Sequence, residues 1–236
     1  MNKIKKLLLC SFNLQYFKAY LNLVCPLFEL SSLLKFTNNV KTIIDIGSNK
    51  GQFSILARSF FPKAKIYSFE PQKKYLDIQK KILSKNKIKY FNVGLGNKKS
   101  KKKFYITHRE DSSSFLKPSN LDLNEYEIKN IRNVQLDRLD NILKSHNIKK
   151  PALIKLDVQG FELEALKGAI KILKNIDYII TEISYKKIYH NQVSKKELIK
   201  FLKKNHFNMK KITNITKLDN GLFQADYLYK RINKKI

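Results

Sequence analysis

The chain has 236 residues, enough for one well-packed core with additions, and 43% of them are hydrophobic, which excludes wholesale disorder. Its net charge is +29, yet only five of the 48 basic residues are arginine (Arg58, Arg109, Arg132, Arg138 and Arg231). The excess is dispersed lysine rather than planar guanidinium forks, which disfavours nucleic acid as a partner. The two cysteines, Cys10 and Cys25, match no metal-ligand spacing and form no disulfide framework, so no metal is expected and a reducing cytoplasm is the default setting.

Residues 1–36 read as an N-terminal helical extension. Lys3, Lys5 and Lys6 precede Leu7-Leu8-Leu9, and an apolar, aromatic stretch runs on to Val24. Asn13, Gln15, Lys18 and Asn22 interrupt it, so it falls short of the ~20 apolar residues of a membrane span, and no small-residue cleavage site marks a signal peptide. One or two helices are expected here. They either pack on the domain that follows or on a partner in a homodimer, or serve as a substrate-lid helix or an anchor at the inner face of an anionic membrane.

From residue 37 to 236 a single domain is expected, with strands and helices alternating. Strand 41–46 leads to helix 51–60, stopped by Pro62; strand 64–70 leads to helix 72–84. Strand 88–94 ends at Gly94 and Gly96, followed by the lysine run Lys98 to Lys103 and a hairpin-like strand 102–107. Residues 108–132 read as polar and irregular, with a short strand at 132–136 and a helix at 137–146. Strand 152–157, helix 161–174 opened by Gly160, strand 177–183 and helix 194–205 with Ser194 as N-cap follow. Strands near 208–213 and 224–230, joined through Asp219-Asn220-Gly221, finish the chain. This order predicts an α/β fold, a mostly parallel sheet with helices on both faces and a C-terminal antiparallel strand pair.

The densest signal is Thr42-Ile-Ile-Asp-Ile-Gly-Ser-Asn-Lys-Gly51: an apolar strand, an acid, then a glycine turn feeding a helix N-terminus. The spacing Asp-x-Gly-x-x-x-Gly differs from the Gly-x-Gly-x-x-Gly of dinucleotide sites. An acid in place of the first glycine suits a cationic ligand over a diphosphate, and S-adenosylmethionine carries a sulfonium and an ammonium. Glu70 ends the next strand, 23 positions after Gly47, where an open α/β sheet places a carboxylate on ribose hydroxyls. Asp45, Gly47, Asn49, Gly51 and Glu70 are therefore the candidate cofactor residues.

Three blocks resemble the FkbM family of S-adenosylmethionine-dependent methyltransferases: IIDIGSNKGQFSI at 43–55, YSFEPQKKYLDIQKKI at 67–82, and LDRLDNIL at 136–143 with ALIKLDVQGFELEALKGA at 152–169 and YIITEIS at 178–184. The resemblance covers about residues 40–185. It implies a class I methyltransferase-like, Rossmann-type fold and O-methylation of a sugar, glycan or related small molecule. The family more often has Glu where this chain has Gln159, and residues 1–36 lie outside the resemblance.

Asp157 ends a central strand, where ligands bind in such sheets, so it either holds the cofactor's methionine end or takes the acceptor's hydroxyl proton. Lys155 shares its face and is a partner for it or for the cofactor carboxylate. Glu162 is a site acid or a first-turn cap. Glu182 follows an apolar run and needs satisfaction there. His108, beside Ser112-Ser113-Ser114, is a further candidate base, and those serines are candidate donors to substrate or cofactor. The catalytic candidates are thus Asp157, Glu182 and His108. Two other readings stay open: an RNA methyltransferase using the lysine surface, and a non-catalytic cofactor-binding subunit of a glycan assembly complex.

Overall fold

The computed structural model describes residues 13–83, 87–119, 124–218 and 221–232. The apolar runs read as central strands pair as expected. β1 (Thr42–Ile46) and β7 (Ala152–Leu156) are buried along their whole length, as befits parallel strands covered on both faces. With β2 (Lys65–Phe69), β3 (Ile88–Phe91), β8 (Tyr178–Ser184), β9 (Phe207–Leu218) and β10 (Gly221–Arg231) they form one sheet in the order β3-β2-β1-β7-β8-β10-β9. β3 to β8 run parallel; β10 and β9 are antiparallel. The expected C-terminal pair is present and longer at both ends than the sequence suggested. Asp219 and Asn220 of its expected turn lie outside the described residues.

Alternation along the strands divides the side chains between two layers. On one face, Ile43, Ile66, Leu153, Ile180 and Leu228 meet Phe53, Leu56 and Ala57 of α3 (Gln52–Phe60) and Ile82 of α4 (Lys73–Ile82). α1 (Leu14–Leu21) and α2 (Ser31–Leu34) belong to this same cluster through Tyr16, Ala19, Leu33 and Leu34. The described part of the N-terminal extension is thus packed into the core, with Tyr16 and Ser59 joined by a hydroxyl–hydroxyl bond. The outer side of α1 is different: Leu14, Phe17, Tyr20 and Leu21, with Leu23 just beyond, are exposed. No helix among the described residues is long and apolar enough to cross a membrane. On the other face, Ile44, Ile46, Ile154, Leu156 and Ile179 pack on α5 (Leu139–Ile142), α6 (Glu162–Lys167) and α7 (Lys195–Lys204). Ser194 caps α7, accepting from the Glu197 amide while Glu197 accepts from the Ser194 amide, worth ~1 kcal/mol.

A second sheet departs from expectation. β4 (Gly94–Leu95), split from the predicted strand 88–94, joins β6 (Ile128–Asp137), which pairs antiparallel with β5 (Ser100–Thr107). The stretch read as irregular to residue 132 already holds strand from Ile128 onward. The expected helices 137–146 and 161–174 are each reduced to a short α-helix and a separate 3-10 turn, at Ser145–Asn147 and Leu173–Asn175. Phe104, Phe115, Leu136, Phe161 and Tyr189 form a small cluster between the second sheet and the end of the main one.

Candidate functional site

The first face of the main sheet changes character along the strands. Two positions beyond Ile43, Ile66, Leu153 and Ile180 stand Asp45, Ser68, Lys155 and Glu182; two before Leu228 stands Asp226. Period-two alternation puts all five on one side. Register sets Lys155 and Ser68 on either side of Asp45, and Asp226 opposite Glu182. A polar row therefore crosses the carboxyl ends of the parallel strands, and two clefts open over it.

The first cleft, of about 790 Å³, is lined by Gly47, Asn49, Glu70, Gln72 and Asp157, with Phe69, Val93, Phe104 and Phe115 as apolar walls. Gly47 is required here. Its φ is +75°, and a Cβ on it would lie 1.9 Å from the Asp157 carbonyl oxygen, so only glycine lets the two loops touch. The Glu70 carboxylate is fixed at both oxygens, accepting from the Asn49 amide (2.9 Å) and the Gln72 amide (2.8 Å). Burial pushes its pKa up to about 7. The Gln72 Oε1, buried on this wall, has no hydrogen-bond partner among the described residues.

The second cleft, of about 700 Å³, meets the first at Lys155, Asp157 and Asp111. Lys155 Nζ donates to Asp157 Oδ2 (2.9 Å). Burial pulls the Lys155 ammonium down, but Asp157 and Asp45 outweigh it and leave its pKa raised. Gln159, at φ +53°, ties the carboxylates together: its Nε2 donates to Asp157 Oδ1 (2.8 Å) and Glu182 Oε2 (3.3 Å), and its Oε1 accepts from Tyr189 (3.0 Å). Gln224 Nε2 also donates to Glu182 (2.8 Å), and Asn214 Nδ2 to Asp226 (2.9 Å). Burial, then repulsion from Asp157 and Asp226, holds the Glu182 pKa well above the usual carboxylate range. Burial lifts Asp226 to about 6.

Of the residues the sequence nominates for the cofactor, Gly47, Asn49, Glu70 and Asp157 line the first cleft. Asp45 does not. It is fully buried behind that wall, accepting from Ser54 Oγ (2.6 Å), with burial raising its pKa; its reach is to the field on Lys155. Gly51 supplies the left-handed turn into α3, at φ +86°. Glu182 lines the second cleft. His108 lines neither and is exposed, because the chain turns outward after β5. The serines mostly hold the backbone: Ser113 Oγ accepts from the Thr107 amide, and Ser114 Oγ donates to the Gln159 carbonyl. Glu162 is a cap, accepting at Oε1 from the Gly160 (3.1 Å) and Val158 (3.4 Å) amides. Asp226, Gln224 and Asn214 were not singled out in the sequence, although Asp226 inside the run Phe223 to Tyr229 carries the same signal as Glu182. Among the described residues no group of three or more His, Cys, Asp or Glu side chains is placed to hold a metal ion.

The profile of the Methyltransferase FkbM domain matches residues 45–209, which contain both the glycine turn and Asp157. The chain belongs to the FkbM methyltransferase family. Among curated relatives, the hexuronic acid methyltransferase AglP of Haloferax volcanii is 36% identical over 80 residues, 34% of this chain and 29% of that enzyme's length. The 2-O-methyltransferase NoeI of Sinorhizobium fredii is 25% identical over 185 residues, 74% of this chain and 75% of that enzyme. Among solved structures, an S-adenosylmethionine-dependent methyltransferase from Mesorhizobium loti shares the fold, with a TM-score of 0.50 at 10% identity over 86% of this chain and 97% of that one.

The cofactor of this methyltransferase is S-adenosylmethionine, and the first cleft fits it. The unpartnered Gln72 oxygen and the remaining lone pairs of Glu70 suit amine and hydroxyl donors. The aromatic and aliphatic walls suit a flat ring. Among the lining residues Glu70, Glu110, Asp111 and Asp157 outnumber the cation Lys155, a balance that suits a cationic ligand.

Proposed function

We propose that this methyltransferase transfers its methyl group to a hydroxyl of a sugar or glycan. The observation that carries the reading is the meeting of the two clefts at Asp157, with the second lined by carboxylates and by the amides of Gln159, Asn214 and Gln224. Such mixed donor and acceptor groups suit a polyhydroxylated molecule. The printed activities of the two curated relatives, on a hexuronic acid and as a 2-O-methyltransferase, support a sugar hydroxyl.

S-adenosylmethionine, when bound, supplies a methyl group already activated on sulfonium. The protein's part is to align the hydroxyl, exclude water and accept the proton. Asp157 is the group for that proton: a third of its side chain is open to solvent, it borders both clefts, and Lys155 and Gln159 fix its two oxygens. Lys155, only 6% exposed at its side chain, orients Asp157. Glu182 is the second carboxylate on the Gln159 bridge, where burial holds its pKa well above the usual carboxylate range. The test is incubation with methyl-labelled S-adenosylmethionine and a panel of glycosides, with the new methyl located by heteronuclear NMR. Label as an O-methyl ether on a sugar hydroxyl supports the proposal; label on nitrogen, or only on RNA, overturns it.

A further inference from the structure

The second cleft has a charge pattern opposite to that of the chain. The sequence carries +29, but five carboxylates line this cleft: Glu29, Asp111, Asp157, Glu182 and Asp226. Two cations oppose them, and both are already engaged. Lys155 is paired with Asp157 and Arg109 with Asp111, each at 2.9 Å. Of the other three, Glu182 and Asp226 are neighbours across the β8–β10 register, with amide donors as their side-chain hydrogen-bond partners. Amides donate hydrogen bonds without adding charge. Burial is the first cause of the raised pKa of both acids, and repulsion from Asp157 adds to it.

We infer that the second cleft selects its acceptor by charge, taking a hydroxyl of a neutral or amine-bearing sugar and rejecting one that carries a carboxylate or phosphate. This rests on the reading of that cleft as the acceptor site. An anionic sugar entering it meets like charges at short range with no uncommitted cation among the lining residues, and the partly enclosed walls limit screening. A neutral sugar exchanges hydroxyl bonds with Gln159, Gln224 and Asn214. An amine gains from Glu182 and Asp226 as well. The selectivity differs from that in the printed name of the hexuronic acid methyltransferase relative, whose match covers 34% of this chain.

The experiment is saturation-transfer NMR on the full chain with S-adenosylhomocysteine at pH 7.5. The probes are methyl β-glucoside, methyl β-glucosaminide, methyl β-glucuronide and a short oligoribonucleotide. The glucosaminide and glucoside should bind, and the glucuronide at least about tenfold more weakly, the scale of one unscreened like charge nearby. Asp226→Asn, near-isosteric and still able to meet Asn214, should narrow the glucoside-to-glucuronide gap severalfold. The wild-type ranking stands independently if that variant does not fold. Glucuronide binding equal to or tighter than glucoside overturns the inference and leaves the sugar reading intact. Binding of the oligoribonucleotide with no sugar bound overturns both.

Discussion

Gln159→Glu exchanges one nitrogen for one oxygen at the centre of the site and makes its electrostatics measurable. In the wild type the Gln159 amide donates to Asp157 at 2.8 Å and to Glu182 at 3.3 Å. A carboxylate there faces two others at those distances. Unit charges ~3 Å apart interact by roughly 5 kcal/mol at an effective dielectric of ~20. Asp157 is a third open to solvent and already paired with Lys155, so about half of that is a reasonable net figure. The variant therefore takes up one more proton than the wild type near neutral pH. The added acid has a folded pKa above its unfolded value of ~4.3, so its stability penalty is absent at low pH and grows as pH rises through the folded pKa. Urea denaturation should place the variant within ~0.5 kcal/mol of wild type near pH 4.5 and about 2–3 kcal/mol below it at pH 8. An equal stability change at both pH values would refute the bridging geometry.

Other substitutions probe the supporting structure. Gly47→Ala forces a side chain at φ +75° onto the Asp157 carbonyl, and should cost at least ~3 kcal/mol, or roughly 6–12 °C in a chain of this size; calorimetry finding the melting point unmoved contradicts that contact. Glu162, raised to about 7 by burial, holds an extra proton in the folded state between its unfolded pKa and about 7, so its ionisation removes stability as pH rises through that window. Glu162→Gln keeps the acceptor for Gly160 and should gain about 2–3 kcal/mol relative to wild type between pH 5 and pH 8 in denaturation curves; parallel curves would show an ordinary exposed acid. The exposed Leu14, Phe17 and Leu21 of α1, on a chain of charge +29, should carry the protein to phosphatidylserine vesicles but not to phosphatidylcholine ones. Flotation unaffected by Leu14→Glu with Phe17→Glu removes the membrane contact.

The main sheet was legible because its central strands are apolar runs that end in an acid. Ile43–Asp45 and Ile180–Glu182 announce both burial and the polar row. The second sheet was not legible, since Ile128–Asp137 is exposed along most of its length and Lys129, Asn130, Arg132 and Asn133 blur any alternation. Of the residues that line the first cleft, those tied to local motifs stood out in the sequence: Gly47, Glu70 and Asp157. Asp226, Gln224 and Asn214 did not, because their place depends on β10 inserting between β8 and β9, a long-range pairing that local pattern does not encode. Asp45 was misplaced by one layer for a related reason: motif spacing identifies the strand end but not whether Lys155 and Ser54 enclose the side chain. His108 stood out by residue type alone, and the turn that carries it faces solvent.

The central claim is that one carboxylate serves where the two clefts meet. Asp157→Asn keeps the shape and removes the charge, retaining one of the two acceptor oxygens that Lys155 and Gln159 meet. With a glycoside acceptor identified by label transfer, kcat should fall by about 10²–10⁴, while S-adenosylhomocysteine affinity from calorimetry stays within ~1 kcal/mol. Unchanged turnover, or lost affinity with normal turnover at saturation, would contradict the account.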